Sequence, residues 1–218
     1  AICLIFAPFL AFAFLVYDLG PGEGRQWIRL ARALWWAGAI PCMFFTILKI
    51  GEWLSRSLSM DHLNPSWCLT PASNLLAALV APIIPVFPSN ARGPHTPFSG
   101  TLFGQSSTAI ELATFFWATG IFISVILLVL TLLAAITTPN LTPEPMRSTC
   151  YVWLTIPTLG GLSYLVINLG KAADTVTVVA WFSSSYYVSL VLFMGLCAAW
   201  LPNRQFFGRN KFDMSYWN

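Results

Sequence analysis

The stretch IELATFFWATGIFISVILLVLTLLAAI, residues 110–136, has one charge, Glu111 at its mouth, and no proline. A helix needs about 20 apolar residues to cross roughly 30 Å of hydrocarbon, so this run is long enough. Strands of a membrane barrel are about 10 residues long and alternate in polarity. The run is longer and apolar on every face, so it reads as a helix whose solvent is lipid.

The rest of the chain agrees. Of 218 residues, 57% are hydrophobic and 9% charged, with a mean hydropathy of +0.71. Soluble domains carry about 25% charged residues. Such a composition excludes a soluble enzyme, a nucleic-acid-binding domain and a disordered tail. The net charge of +3 is small and scattered, which argues against a polyanionic partner.

Working outward, one membrane domain over 1–218 is expected, with spans at about 1–17, 34–54, 66–87, 110–136, 151–169 and 178–200. The start of a further span is expected at 212–218. Polar connections rich in proline, glycine or serine separate them, notably 88–107 and 137–147. Trp27, Trp53, Trp67, Tyr151, Trp153, Trp200 and Trp217 stand near span ends, as an interfacial aromatic belt predicts. Lys and Arg divide six against five between alternate connections, which decides no orientation. Asn140-Leu141-Thr142 matches a glycosylation sequon on the slightly more basic side, so it is expected to be cytoplasmic and unmodified. Both ends lie within or beside apolar stretches, and the expectation is a fragment of a longer protein.

Catalysis finds little to use. Cys3, Cys42, Cys68, Cys150 and Cys197 form no CxxC pair and read as small buried hydrophobes. His62 and His95 lie in connections, so neither a metal site nor a cofactor is expected. Intramembrane proteolysis needs two facing aspartates, a serine with an embedded histidine, or H-E-x-x-H. Tyr17-Asp18 has no partner aspartate in another span, Gly161-Leu162-Ser163-Tyr164 lacks the last Gly of G-x-S-G and no span contains a His, and H-E-x-x-H is absent. No enzyme activity is expected. Proton-coupled pumps bury carboxylates along their path. Here Glu111 alone is a titratable candidate, and at a helix end it equally reads as reaching interfacial water.

Proline is the recurring feature. Pro8, Pro71 and Pro157 interrupt the first, third and fifth spans, and Pro41 interrupts the second. Each removes a backbone donor and frees a carbonyl. In lipid that carbonyl must be satisfied by protein or by water in a cavity. The first, third and fifth spans are therefore expected to face a shared interior. Thr70, Ser73 and Asn74 add polarity beside Pro71. Asn74 either bonds a neighbouring helix or stands beside an aqueous path. Gly160 and Gly161 either allow close packing or widen a passage. The candidate path residues are thus Pro8, Thr70, Pro71, Ser73, Asn74, Pro157, Gly160 and Gly161.

Residues 64–75, NPSWCLTPASNL, resemble a motif of the tellurite-resistance/C4-dicarboxylate transporter family, which includes the slow anion channels of plant guard cells. The family pattern is close to N-P-[ST]-x-x-L-[ST]-x-x-G-N-F, with Ser73 here for Gly and Leu75 for Phe. Residues 206–217, FFGRNKFDMSYW, resemble the family's entry into its ninth helix, with Tyr216 for a Trp. KIGEW at 49–53, TPEPMR at 142–147 and IPT at 156–158 fit intervening positions in order.

The resemblance implies helices three to eight of a ten-helix, all-α integral membrane bundle, plus the start of helix nine. In that bundle odd-numbered helices form an inner ring around a central pore and even-numbered ones an outer ring. Pro8, Pro71 and Pro157 would then kink inner helices, and a phenylalanine gate would lie just past Asn218. It implies anion substrates (chloride, nitrate, sulfite, malate and related dicarboxylates) and a multi-pass protein of the plasma membrane. Family members often assemble as homotrimers. The leading expectation is a slow-type anion channel or C4-dicarboxylate/malate transporter. A proton-linked dicarboxylate carrier or a sulfite exporter is the alternative, and a non-transporting membrane scaffold a weaker one.

Overall fold

Helix α1 (Arg25–Ser55) begins ahead of the apolar run that starts near residue 34, entering through a turn that carries Arg29 and Arg32. A 3-10 turn, Pro65–Cys68, leads directly into α2 (Leu69–Val80). Then come α3 (Ser107–Thr137), α4 (Val152–Leu169) and α5 (Thr175–Trp200). The computed structural model describes residues 9, 11–13, 25–55, 63, 65–84, 107–137, 152–169 and 175–200. Among these there is no strand. Residues 9 and 11–13 are helical. Pro8, Asn140, the loops at 88–106 and 138–151 and the stretch 212–218 lie outside the described residues.

Helix length divides the helices into two kinds. Segments Arg29–Trp53 of α1, Ile110–Ala135 of α3 and Val176–Ala198 of α5 are long and apolar enough to cross a membrane. The helical stretches Ser66–Val80 and Val152–Asn168 are shorter. At 1.5 Å per residue α3 is about 46 Å long and α2 about 18 Å.

Packing follows the same division. The short helices α2 and α4 touch each other. Helices α1 and α3 pack on α2, and α3 and α5 pack on α4. Along α3, Ala113, Phe116, Gly120, Ser124, Leu127, Thr131 and Ala134 are buried at helical spacing, whereas Phe115, Phe122, Val125, Val129 and Leu133 are exposed. One stripe faces the short helices and the other faces outward. In the core Trp35 of α1 meets Phe116 of α3 edge to face, with centroids 5.7 Å apart. That geometry suits the quadrupoles of the two rings.

Two expectations change. Pro71 does not interrupt a long span. It is the third residue of α2, within the first turn, where a missing N–H deprives the helix of no necessary bond. Of the span expected over 66–87, residues 85–87 lie outside the described residues, and the described part is a 3-10 turn, a short helix and a turn at 81–84. There Pro82 has no N–H to give, and Ile83 and Ile84 both donate to the Val80 carbonyl. Trp153, expected in the interfacial belt, is buried between helices, and its indole donates to Thr131 Oγ1 at 3.0 Å. A buried indole N–H needs a partner, and α3 supplies it.

Candidate functional site

Among the described residues, buried polar side chains are densest on α2, with Thr70, Ser73 and Asn74; Thr46 of α1, Ser124 and Thr131 of α3, Ser163 of α4 and Ser189 of α5 are also buried. Lipid offers no hydrogen bonds, so a buried donor left without a protein acceptor is costly. Asn74 is fully buried on α2 and donates through Nδ2 to Thr46 Oγ1 of α1 at 3.0 Å. Thr46 in turn donates to the Cys42 carbonyl at 2.8 Å. Trp35 donates to the Ala77 carbonyl at 3.2 Å, a second tie from α1 to α2. From α4, Ser163 lies 2.9 Å from the Leu75 carbonyl and 2.6 Å from that of Leu159. Helix α2 is thus bonded to α1 and α4. It also contacts α3, where Gly120 lies so close that an added Cβ would stand 2.9 Å from Leu75 Cδ2.

Helix α4 is held between α3 and α5. Gly160 faces Ile121 of α3, and its carbonyl accepts a 2.8 Å hydrogen bond from Trp117 Nε1. Gly161 faces Ser185 of α5. The Trp117 ring lies 5.3 Å from Tyr164, and Tyr164 lies 5.6 Å from Trp181 of α5. The two glycines are contact points between helices, as small residues are in membrane bundles.

The remaining face of α4 carries Thr155, Thr158, Leu162 and Leu165, which are half-buried or exposed. These positions recur at helical spacing, away from Gly160, Gly161 and Ser163, which point at α3, α5 and α2. Thr158 is exposed, and its hydroxyl donates to the Leu154 carbonyl. The half-exposed residues of α2 are Leu76, Leu79 and Leu69.

The sequence candidates therefore fall into separate places. Thr70, Pro71, Ser73 and Asn74 are buried within the helix contacts of α2, with Ser73 donating to the Thr70 carbonyl at 2.6 Å. Pro157 is half-buried on α4, and Pro8 is not described. Glu111 is exposed near the start of α3, one of two acidic residues among the described ones. The other, Glu52, pairs with Lys49 at 2.6 Å at the end of α1. The sequence pattern did not single out Thr46, Trp117, Thr131 or Thr155, and it marked Ser163 only as a rejected nucleophile and Thr158 only as part of a motif match. A signal existed for Trp117, because a tryptophan in mid-span stands apart from an interfacial belt.

A model of the voltage-dependent anion channel family matches residues 1–218. The chain belongs to this family. An uncharacterized transporter of Methanocaldococcus jannaschii is 24% identical over 197 residues, a stretch that covers 89% of this chain and 52% of that protein. The chain thus spans about half the length of the curated relative it matches. No solved structure gives a significant match. As a member of the voltage-dependent anion channel family, with three helices long enough to span lipid, the chain is a multi-pass integral membrane protein.

Proposed function

We propose that the complete protein carries small anions across a membrane and that α2 and α4 stand in the wall of its passage. One observation carries the reading. The two short, proline-bearing helices pack on each other, and each of the three long apolar helices packs on one or both of them. The open face of α4 then offers Thr155 and Thr158 between leucines, and Asn74, Gly160 and Gly161 tie α2 and α4 to the long helices. Both described carboxylates stand at helix ends, outside this wall. A passage without fixed charge still transmits anions, because hydroxyl and amide dipoles replace part of the hydration shell without binding too tightly for exit.

In its finer form the proposal is a channel of the slow type, open to chloride, nitrate or malate, in the plasma membrane and assembled as a homotrimer. The test is voltage clamp of oocytes expressing the complete protein. External chloride, nitrate, malate and sulfite are exchanged at two pH values. The expected reversal potential follows the anion gradient and ignores pH. A shift with pH favours the proton-linked carrier, with Glu111→Gln as the next substitution. Neither current nor tracer flux, with surface expression confirmed, overturns the proposal.

A further inference from the structure

Pro157 divides α4 into two halves. Its ring removes the N–H that would close a bond to the Trp153 carbonyl, and Gly160 and Gly161 follow at once. A helix with a missing bond and two glycines within five residues bends easily. Each half, however, is pinned to α3 by an indole. Before the proline, Trp153 Nε1 donates to Thr131 Oγ1 at 3.0 Å. After it, Trp117 Nε1 donates to the Gly160 carbonyl at 2.8 Å. Helix α3 runs through 31 residues without a proline, so it is the stiffer of the two. The Trp117 ring also packs on Tyr164, which packs on Trp181, so the second half of α4 is held from both neighbours.

We infer that Trp117 is a positioning residue, a latch that fixes the bend of α4 at the Pro157–Gly161 hinge and through it the width of the passage. The functional half of this inference rests on the anion-transport reading, and its structural half does not. Releasing the latch frees the second half of α4 to swing, which moves Thr158 and Leu162 on the open face. The first half stays pinned by Trp153.

Hydrogen exchange followed by mass spectrometry, on the complete protein in lipid nanodiscs, reads the hinge without reference to transport. Trp117→Phe keeps a ring and loses the N–H. Exchange over 158–166 is expected to rise about three- to tenfold, the range one interhelical hydrogen bond commands in membranes. Trp153→Phe is expected to raise exchange over 152–156 and spare 158–166. Pro157→Ala restores the backbone donor, and in that background Trp117→Phe is expected to change exchange less than about twofold. A purely structural role for Trp117 predicts the same effect with or without the proline. Should Trp117→Phe fail to fold, Pro157→Ala is expected to rescue it; a double variant that also fails overturns the latch.

Exchange over 158–166 that stays within about twofold of wild type in Trp117→Phe overturns the latch. Faster exchange with an unchanged anion current per surface protein overturns its role in transport. Faster exchange with a current changed about three- to tenfold supports both halves. A wild-type protein that passes no anion, while the exchange results hold, overturns the transport reading and leaves the latch standing.

Discussion

At Gly161 a single hydrogen atom sets the distance between two helices. A Cβ built there would stand 2.5 Å from Ser185 Cβ and 2.9 Å from its Oγ. The serine cannot swing aside cheaply, because its side chain is short and its hydroxyl donates to the Trp181 carbonyl at 3.0 Å. Gly161→Ala must therefore push α5 away, and overpacking of this kind costs about 1–3 kcal/mol. Ser185→Gly removes the atoms in the way. Thermal unfolding of the complete protein in detergent is expected to show a lowered midpoint for Gly161→Ala and recovery in the double variant. Gly160→Ala meets only Ile121 Cδ1, the far end of a flexible side chain, and is expected to be milder. The glycine pair was legible in the sequence as a choice between packing and widening, but its partners were not, since no local pattern names a residue on another helix. Asn74 was similar. An amide in a membrane helix announces a partner, and Thr46, an ordinary threonine in an apolar run, carries no mark that identifies it. Asn74 Oδ1 and Ser124 Oγ, both buried, have no hydrogen-bond partner in the structure.

Among the elements, prolines that look alike in sequence act differently by position. Pro41 lies in the middle of α1 and Pro157 inside α4, each with a full turn before it. Pro71 is preceded by only two residues of α2 and by the 3-10 turn that starts at Pro65. The sequence showed four interrupted spans. It did not show that the third span is a short helix beginning at its proline, because an apolar run over 66–87 hides the point where one backbone geometry gives way to another. Since Pro71 sits where no intrahelical bond is lost, Pro71→Ala restores none. It gains no helix bond and loses a fully buried ring, so it is expected to lower stability by about 1–2 kcal/mol, whereas removing a proline from a helix interior would raise it by about 3 kcal/mol. Chemical denaturation of the two proteins in the same detergent checks this, and a large gain for Pro71→Ala overturns the first-turn account. Packing likewise separates aromatic residues that look alike in sequence. Trp53 and Trp67 do stack at the ends of their elements, with centroids 5.2 Å apart and planes 6° from parallel. Trp153, equally close to a span end, is drawn inward because Thr131 lies within reach of its N–H.

Over the whole molecule, the helical membrane class was readable from one long apolar run and a scarcity of charge. The order of helices in space was not, because α1, α3 and α5 are apolar on every side and hydropathy alone gives them no inner face. Burial supplies what hydropathy lacks. Only 28% of the α1 and α3 spans and 11% of the α5 span is buried, while nine of the twelve residues of α2 are. Two kinds of outward surface follow: faces of α1, α3 and α5 that suit lipid, and a face of α4 that the proposed passage would wet. Thiol chemistry separates them, since water-soluble reagents attack the thiolate and a thiol in hydrocarbon does not ionise. Single cysteines at Phe44, Phe122 and Val129, all exposed on the long helices, are expected to stay unmodified in the membrane-embedded complete protein. Cysteines at Thr158 and Leu162 are expected to react and, once modified, to reduce the anion current. Equal reactivity at all five positions contradicts the division into lipid and water faces. Reaction at 44, 122 and 129 alone reverses it, and the passage must then be sought on the outer side of α1 and α3.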